Sequence, residues 1–428
     1  MLRKIKADGT SEVKFLKELA DRSVETDKKV TEIVSEIIDN VRKNGDKAVK
    51  EYTEKFDGKL PEYYEVPREV INTALTEADE EFVSALLDAI ENISAFHNRQ
   101  KTEGFIDPRG DGVILGQRVR GLARVGLYVP GGTAAYPSSV LMNAIPAKIA
   151  GVGEIVMVTP PLKNGKPNND ILVAAALCGV DRVFLAGGAQ AIAALAFGTD
   201  EIPKVDKIVG PGNIFVATAK KLLYGTVDID MIAGPSEILV LADETADPKF
   251  VAADLMSQAE HDKLASAILV TTSEELVSKT EEELTRQMSY LSRKEIIETS
   301  LANYGAAILC DDVQTAVELA NSIAPEHLEV LMKNPLEYIG KLDNAGSVFL
   351  GQYASEPLGD YFAGPNHVLP TSGTARFFSP LGVQSFTKRS SFIYYTEEAL
   401  REAKDDIVLI AEKEGLTAHA NAIKVRFE

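Results

Sequence analysis

Cysteine is scarce: the 428 residues contain only Cys178 and Cys310. Both lie in apolar contexts, AAALCGV and AAILCDD, without CxxC spacing, which excludes a disulfide framework and a thiolate metal site. Any metal must therefore be held by histidine, carboxylate or amide groups. Neither cysteine has a polarising partner nearby in sequence, so a thiol nucleophile finds no support. Ser236, in AGPSE, lacks the GxSxG elbow and is read as a substrate contact instead of a nucleophile. No window approaches the roughly 18 uninterrupted apolar residues of a membrane span. MLRKIKADGTSEVKF carries no signal-peptide core, and a cytoplasmic location is the expectation. Positive charge is also in deficit: 45 basic residues against 64 acidic ones give a formal charge of -19, which excludes nucleic acid and anionic membrane as general partners.

What is present points to an α/β enzyme. Apolar residues make up 45% of the chain, enough for a sizeable core in two or three domains. Residues 1 to about 100 read mainly as amphipathic helix, with apolar positions returning every three or four residues. From Val125 short apolar strands alternate with helices, the pattern of mostly parallel sheets. Strands are expected at RVGLYV, EIVMVT, RVFLAG, KIVG, EILVLAD, SAILVTT, AAILCDD, LEVLMK and SVFLG. So many βα units exceed one ordinary sheet, and two Rossmann-like lobes are expected. The expected boundaries are 1–124 with 236–375 for one lobe, 125–235 for the other, and 376–428 for a C-terminal dimerisation segment. The Gly-rich stretches VPGGT (129–133), AGGAQ (186–190), VGPGN (209–213) and AGPSE (233–237) are expected to line a cleft at strand carboxyl ends. No GxGxxG follows a strand and opens a helix, so a dinucleotide would bind without that fingerprint. Thr396 as N-cap and Gly415 as stop bound a last helix from about 397 to 414. The tail that remains, LTAHANAIKVRFE, is too short to bury its own apolar residues, and a partner subunit is one way to cover it.

Five histidines can be weighed singly. His97 ends an amphipathic helix, where a surface or C-capping role is expected. Gln258 and His261 are spaced i, i+3 on a helix begun by Asp247 and Pro248, with Asp254 near the same face. They suit ligands on one face, and equally a plain polar helix end. His327 follows Glu326 at a Pro-marked passage from helix to strand. A neighbouring carboxylate raises imidazole basicity and suits proton transfer, although an exposed pair in a loop has the same sequence. Asp360 and His367 share a long Gly- and Pro-rich segment, read as a loop serving a site. Glu414 and His419 flank the end of the last helix and by themselves read as capping and tail residues.

Taken together, IDMIAGPSEILV, DLMSQAEHD, APEHLE, LGDYFAGPNHVLPTSGTARF and EGLTAHANAIKVR resemble the histidinol dehydrogenases in order and spacing, most firmly from Val125 to Arg426. The resemblance implies zinc ligands at Gln258, His261, Asp360 and His419 and a catalytic pair at Glu326 and His327. It implies substrate contacts at Ser236, His367 and Glu414 besides His327 and the metal ligands, and NAD contacts at Tyr128, Gln190 and Asn213. The implied reaction oxidises L-histidinol to L-histidine through the aldehyde, with two successive NAD molecules. The implied assembly is a homodimer whose C-terminal tail crosses to the partner's cleft. Two other readings are a metal-free aldehyde dehydrogenase-type oxidoreductase using Cys178 or Cys310, and a zinc-dependent imidazole-binding protein without turnover.

Overall fold

The architecture is taken from a computed structural model, which describes residues 2–21, 27–131 and 136–428. Its strands, in chain order, are β1 (Arg3–Lys6), β2 (Phe105–Arg109), β3 (Val113–Gly121), β4 (Arg124–Tyr128), β5 (Glu154–Thr159), β6 (Arg182–Leu185) and β7 (Lys207–Val209). They continue with β8 (Asp228–Ile229), β9 (Glu237–Ala242), β10 (Ser266–Thr271), β11 (Gly305–Leu309), β12 (His327–Leu331), β13 (Ser347–Leu350) and β14 (Thr387–Tyr395). All nine strands expected from the apolar runs are among them.

Two parallel sheets form the two lobes. One has the order β1-β11-β10-β9-β12-β13 and the other β6-β5-β4-β7-β8. Every residue of EILVLA (β9) and SAILVT (β10) is buried. That explains their unbroken apolar runs, because a parallel sheet covered by helices on both faces has no solvent side to demand alternation. A third, antiparallel sheet, β14-β3-β2, was not expected. In β14 nearly every position is exposed and the sequence, TKRSSFIYY, alternates on neither face, so no burial pattern announces it.

The packing of the N-terminal residues cuts across the 1–124 grouping. β1 joins the six-stranded sheet beside β11. Helix Asp27–Asn44 instead packs on helices Gly188–Phe197 and Ile214–Leu223, helix Arg68–Thr76 on Asn169–Leu177, and helix Glu80–Asn98 on Pro137–Ile149. Ile71, Leu86 and Ile93 accordingly share a core with Leu127, Leu141 and Leu172 of the five-stranded lobe. At the other end, helix Glu397–Lys413 begins where Thr396 accepts a hydrogen bond from the Ala399 N–H at 3.3 Å, and Gly415 stops it at φ 74°. It packs on helix Thr417–Lys424, and between them Ile407, Ile410, Leu416 and Val425 stay exposed. Among the described residues no helix is long and apolar enough to cross a membrane.

Candidate active and metal site

The chemistry gathers at the edge of the six-stranded sheet where β9 and β12 begin. Ala324, left-handed at φ 52°, closes helix Val313–Ile323, and Pro325 then turns the chain into Glu326 and the first residue of β12, His327. β12 lies against β9 with His327 opposite Ile238, one residue past Glu237. Glu237 therefore offers both backbone groups to the pair: its N–H donates to Glu326 Oε2 at 2.9 Å, and its carbonyl lies 3.0 Å from His327 Nδ1. Since a carbonyl only accepts, Nδ1 carries a proton, and in the neutral imidazole Nε2 is the nitrogen left with a lone pair. Both side chains are buried, which removes the reading of an exposed loop pair.

The helix after β9 runs back across the sheet and returns its C-terminal end to this edge. Gln258, on helix Pro248–Ala259, places Nε2 3.4 Å from both Glu326 Oε2 and His327 Nδ1, while its buried Oε1 finds no hydrogen-bond partner. His261 lies just beyond the helix and not on it, its N–H bonded to the Gln258 carbonyl at 3.2 Å, because Glu260 already caps the helix end. Asp360 comes from a short helix, Glu356–Tyr361, and not from a loop; Pro357 supplies its first turn. Its Oδ1 lies 3.8 Å from His327 Nε2 and 3.9 Å from His367 Nδ1. His367 donates Nδ1–H to the Asp360 carbonyl at 3.1 Å.

His261, Glu356 and Asp360 each bring one ligand atom within 4.8 Å of the others. Glu356 is the member that sequence reasoning missed, although its spacing of four from Asp360 on one short helix was a readable signal. The buried Gln258 amide oxygen without a partner is what a further oxygen ligand would look like. Nitrogen and oxygen donors without sulfur fit a divalent zinc ion in a catalytic setting.

The electrostatics follow from burial. It pushes the Glu326 carboxyl up to about 7 even though His327 pulls the other way. For His327 burial disfavours the charged form, yet Glu326, Asp360 and Glu356 outweigh it and raise the imidazole to about 10. Burial alone would raise Asp360, but its contacts to His327 and His367 draw it down to about 2. A divalent cation among these carboxylates would take over their negative charge and return His327 toward its neutral, basic form.

The five-stranded lobe holds a second group. VPGGT, AGGAQ and VGPGN follow β4, β6 and β7 as expected, with Gly132 and Thr133 outside the described residues. AGPSE does not follow a lobe strand in this way: it leads into β9 and brings Ser236 beside Glu237, where β9 and β12 begin. Tyr128 Oη accepts the Gly188 N–H at 3.1 Å. Gln190, 1% exposed, has partners for neither amide atom. Asn213 caps helix Ile214–Leu223, accepting from Phe215 and Val216 N–H groups at 3.1 and 3.2 Å. Gly210 takes φ +110°, and a Cβ there would stand 2.1 Å from the Tyr128 carbonyl. The peptide of Gly210 is gripped at both ends, by Asp230 Oδ2 at 2.8 Å and Lys220 Nζ at 3.0 Å, and these two side chains form a buried ion pair.

Two expected site residues stand apart within one chain. Glu414 and His419 are exposed, lining an apolar groove with Ile407, Ile410 and Leu416. His97, expected in a surface or C-capping role, is instead completely buried, its ring nitrogens facing the Gln100 and Asn366 side chains. The cysteines offer no nucleophile, because burial pushes the thiols of Cys178 and Cys310 up to about 12 and about 11.

Comparison with known proteins shows the family of the chain. The family model for histidinol dehydrogenase matches residues 20–427. A histidinol dehydrogenase of Clostridium acetobutylicum is 60% identical over 97% of this chain and 96% of its own length, and one of Listeria innocua 58% over 98% of each. The crystal structure of histidinol dehydrogenase from Elizabethkingia anophelis superposes with a TM-score of 0.92 at 39% identity, covering 99% of this chain and 98% of that one.

Proposed function

Because this chain belongs to the histidinol dehydrogenase family, NAD-dependent oxidoreductases of histidine biosynthesis, we propose that it oxidises L-histidinol to L-histidine in two two-electron steps at the β9–β12 edge. The observation that carries this reading is the buried Glu326–His327 pair, fixed by the Glu237 backbone beside the His261–Glu356–Asp360 cluster. His327, with Nδ1–H committed to the Glu237 carbonyl, uses Nε2 to take the hydroxyl proton in the alcohol step. Glu326 is the base that activates water against the aldehyde, and His327 acts again as the hydrate is oxidised. Gln258, His261 and Asp360 hold zinc together with His419 from a second copy of the chain, while Glu356 supports Asp360. When bound, NAD accepts hydride once in each step, and zinc supplies a fixed positive centre for the imidazole and amine of the substrate.

Ser236, His367 and Glu414 complete the substrate contacts. Tyr128, Gln190 and Asn213 meet NAD, and the unsatisfied Gln190 amide supports a polar ligand at that place. The exposed apolar face of the C-terminal helices supports a homodimer in which the tail bearing Glu414 and His419 reaches the partner's cleft. Metal depletion tests the zinc assignment. Treatment with a chelator is expected to abolish NADH formation from L-histidinol and NAD, and added Zn2+ to restore it. Activity that survives complete metal removal would contradict the assignment.

A further inference from the structure

His97 lies outside the metal and catalytic cluster, yet it is 0% exposed and its ring is tied at both nitrogens. It occupies the last turn of helix Glu80–Asn98 in the five-stranded lobe. Nδ1 lies 2.8 Å from Gln100 Oε1, and Nε2 lies 3.4 Å from Asn366 Nδ2. Backbone anchors settle which atoms donate. Gln100 Oε1 also accepts the Val383 N–H at 3.1 Å, so it is the amide oxygen that faces the ring and Nδ1 must donate. Asn366 Nδ2 donates to the Met142 carbonyl at 2.5 Å, and its Oδ1 accepts the Val368 N–H at 2.9 Å. The amide nitrogen therefore faces the ring, and Nε2 must accept. Burial favours this neutral form by drawing the imidazole below its usual range.

Asn366 immediately precedes His367, and the loop that carries both is pressed on the same helix. Gly364 has φ +115°, and a Cβ there would stand 2.8 Å from the Asn92 carbonyl and 3.1 Å from Phe96 Cβ. At Gly382 a Cβ would stand 2.6 Å from Gln100 Oε1. The segment carrying His367 is thus fastened to helices Glu80–Asn98 and Pro137–Ile149, with the His97 imidazole as one of its attachments.

We propose that His97 is a positioning residue for substrate binding: through Asn366 it fixes the backbone that presents His367 to the substrate. The proposal rests on the reading of His367 as a substrate contact. The test compares His97→Asn, His97→Gln, Asn366→Ala and His367→Ala, measuring kcat, KM for L-histidinol, KM for NAD and the thermal midpoint. Asparagine keeps a polar group near the Nδ1 place and loses the Nε2 acceptor; glutamine carries an acceptor out to the Nε2 place. Losing the one buried hydrogen bond to Asn366 is expected to raise the histidinol KM about tenfold in His97→Asn. Asn366→Ala, which also loses the bonds to the Met142 carbonyl and the Val368 N–H, is expected to raise it at least as much, with kcat and the NAD KM within about twofold of wild type in both. In His97→Gln the histidinol KM is expected to return to within about threefold of wild type. An unchanged histidinol KM in His97→Asn overturns the proposal, whatever its thermal midpoint and whatever the result in Asn366→Ala. So does an equal worsening of both KM values and kcat, the signature of general structural damage. His367→Ala separates the two levels: an unchanged histidinol KM there removes the reading of His367 itself. A raised one beside an unchanged His97→Asn removes only the role of His97.

Discussion

Glu326→Gln divides the two oxidations, because the substitution leaves the anchoring of residue 326 intact while removing its ability to take a proton. The glutamine Oε1 can still accept the Glu237 N–H, now 2.9 Å from Glu326 Oε2, and the Gln258 amide at 3.4 Å. The fold of the β9–β12 edge is therefore expected to persist. What disappears is a general base for water, a contribution of roughly 100- to 10,000-fold. That corresponds to about 3–5 kcal/mol of barrier. A smaller effect falls on both steps: His327 Nδ1 loses a carboxylate 3.6 Å away, and its weakened basicity is expected to cost on the order of tenfold. Oxidation of the aldehyde by NAD is thus expected to drop at least 100-fold, and interconversion of alcohol and aldehyde by no more than about tenfold. The assay supplies L-histidinal directly, following NADH appearance with NAD for the second step and NADH disappearance for the reverse of the first. Equal losses in both directions would refute the assignment of Glu326 to water and leave it only the task of supporting His327.

Two further outcomes follow from groups elsewhere. Burial without a hydrogen bond at Oδ2 pushes Asp57 from 3.8 up to about 6, so its contribution is fully favourable below pH 3.8 and is lost as pH rises through about 6. Discounted for its partial exposure, the loss is about 1–2 kcal/mol; Asp57→Asn is expected to raise the thermal midpoint at pH 8 and leave it unchanged near pH 4, and a gain equal at both would contradict this. Mixing His327→Ala chains with His419→Ala chains is expected to restore about a quarter of wild-type activity, since half of random dimers are hybrids and each has one intact site; hybrid dimers without activity would sink the shared-site model.

The parts of the fold legible in the sequence are those whose burial is local. EILVLA and SAILVT could be read as strands because both faces of a parallel strand are covered, and the C-terminal helix because Thr396 and Gly415 mark its ends. β14 was not legible, since its residues are exposed and its pairing partner β3 lies some 270 residues away along the chain, Thr387 opposite Gly121. The same distance problem governs the site. Glu237, Gln258, Glu326 and Asp360 each look ordinary in their own segments, and only the return of helix 248–259 to the start of β9 and the pairing of β9 with β12 bring them together. Glu237 acts through its backbone, which no residue type signals. His97 is a different failure. Its place on the stripe Leu86, Ala89, Ile93, His97 put it on the buried face of its helix, so the periodicity carried the information that its position at the helix end obscured.

The most direct measurement is the yield of NADH per L-histidinol consumed to completion with excess NAD. Two hydride transfers at one site predict two NADH and L-histidine as the product. One NADH with accumulated aldehyde, or none at all, would contradict the four-electron reaction assigned to the Glu326–His327 pair.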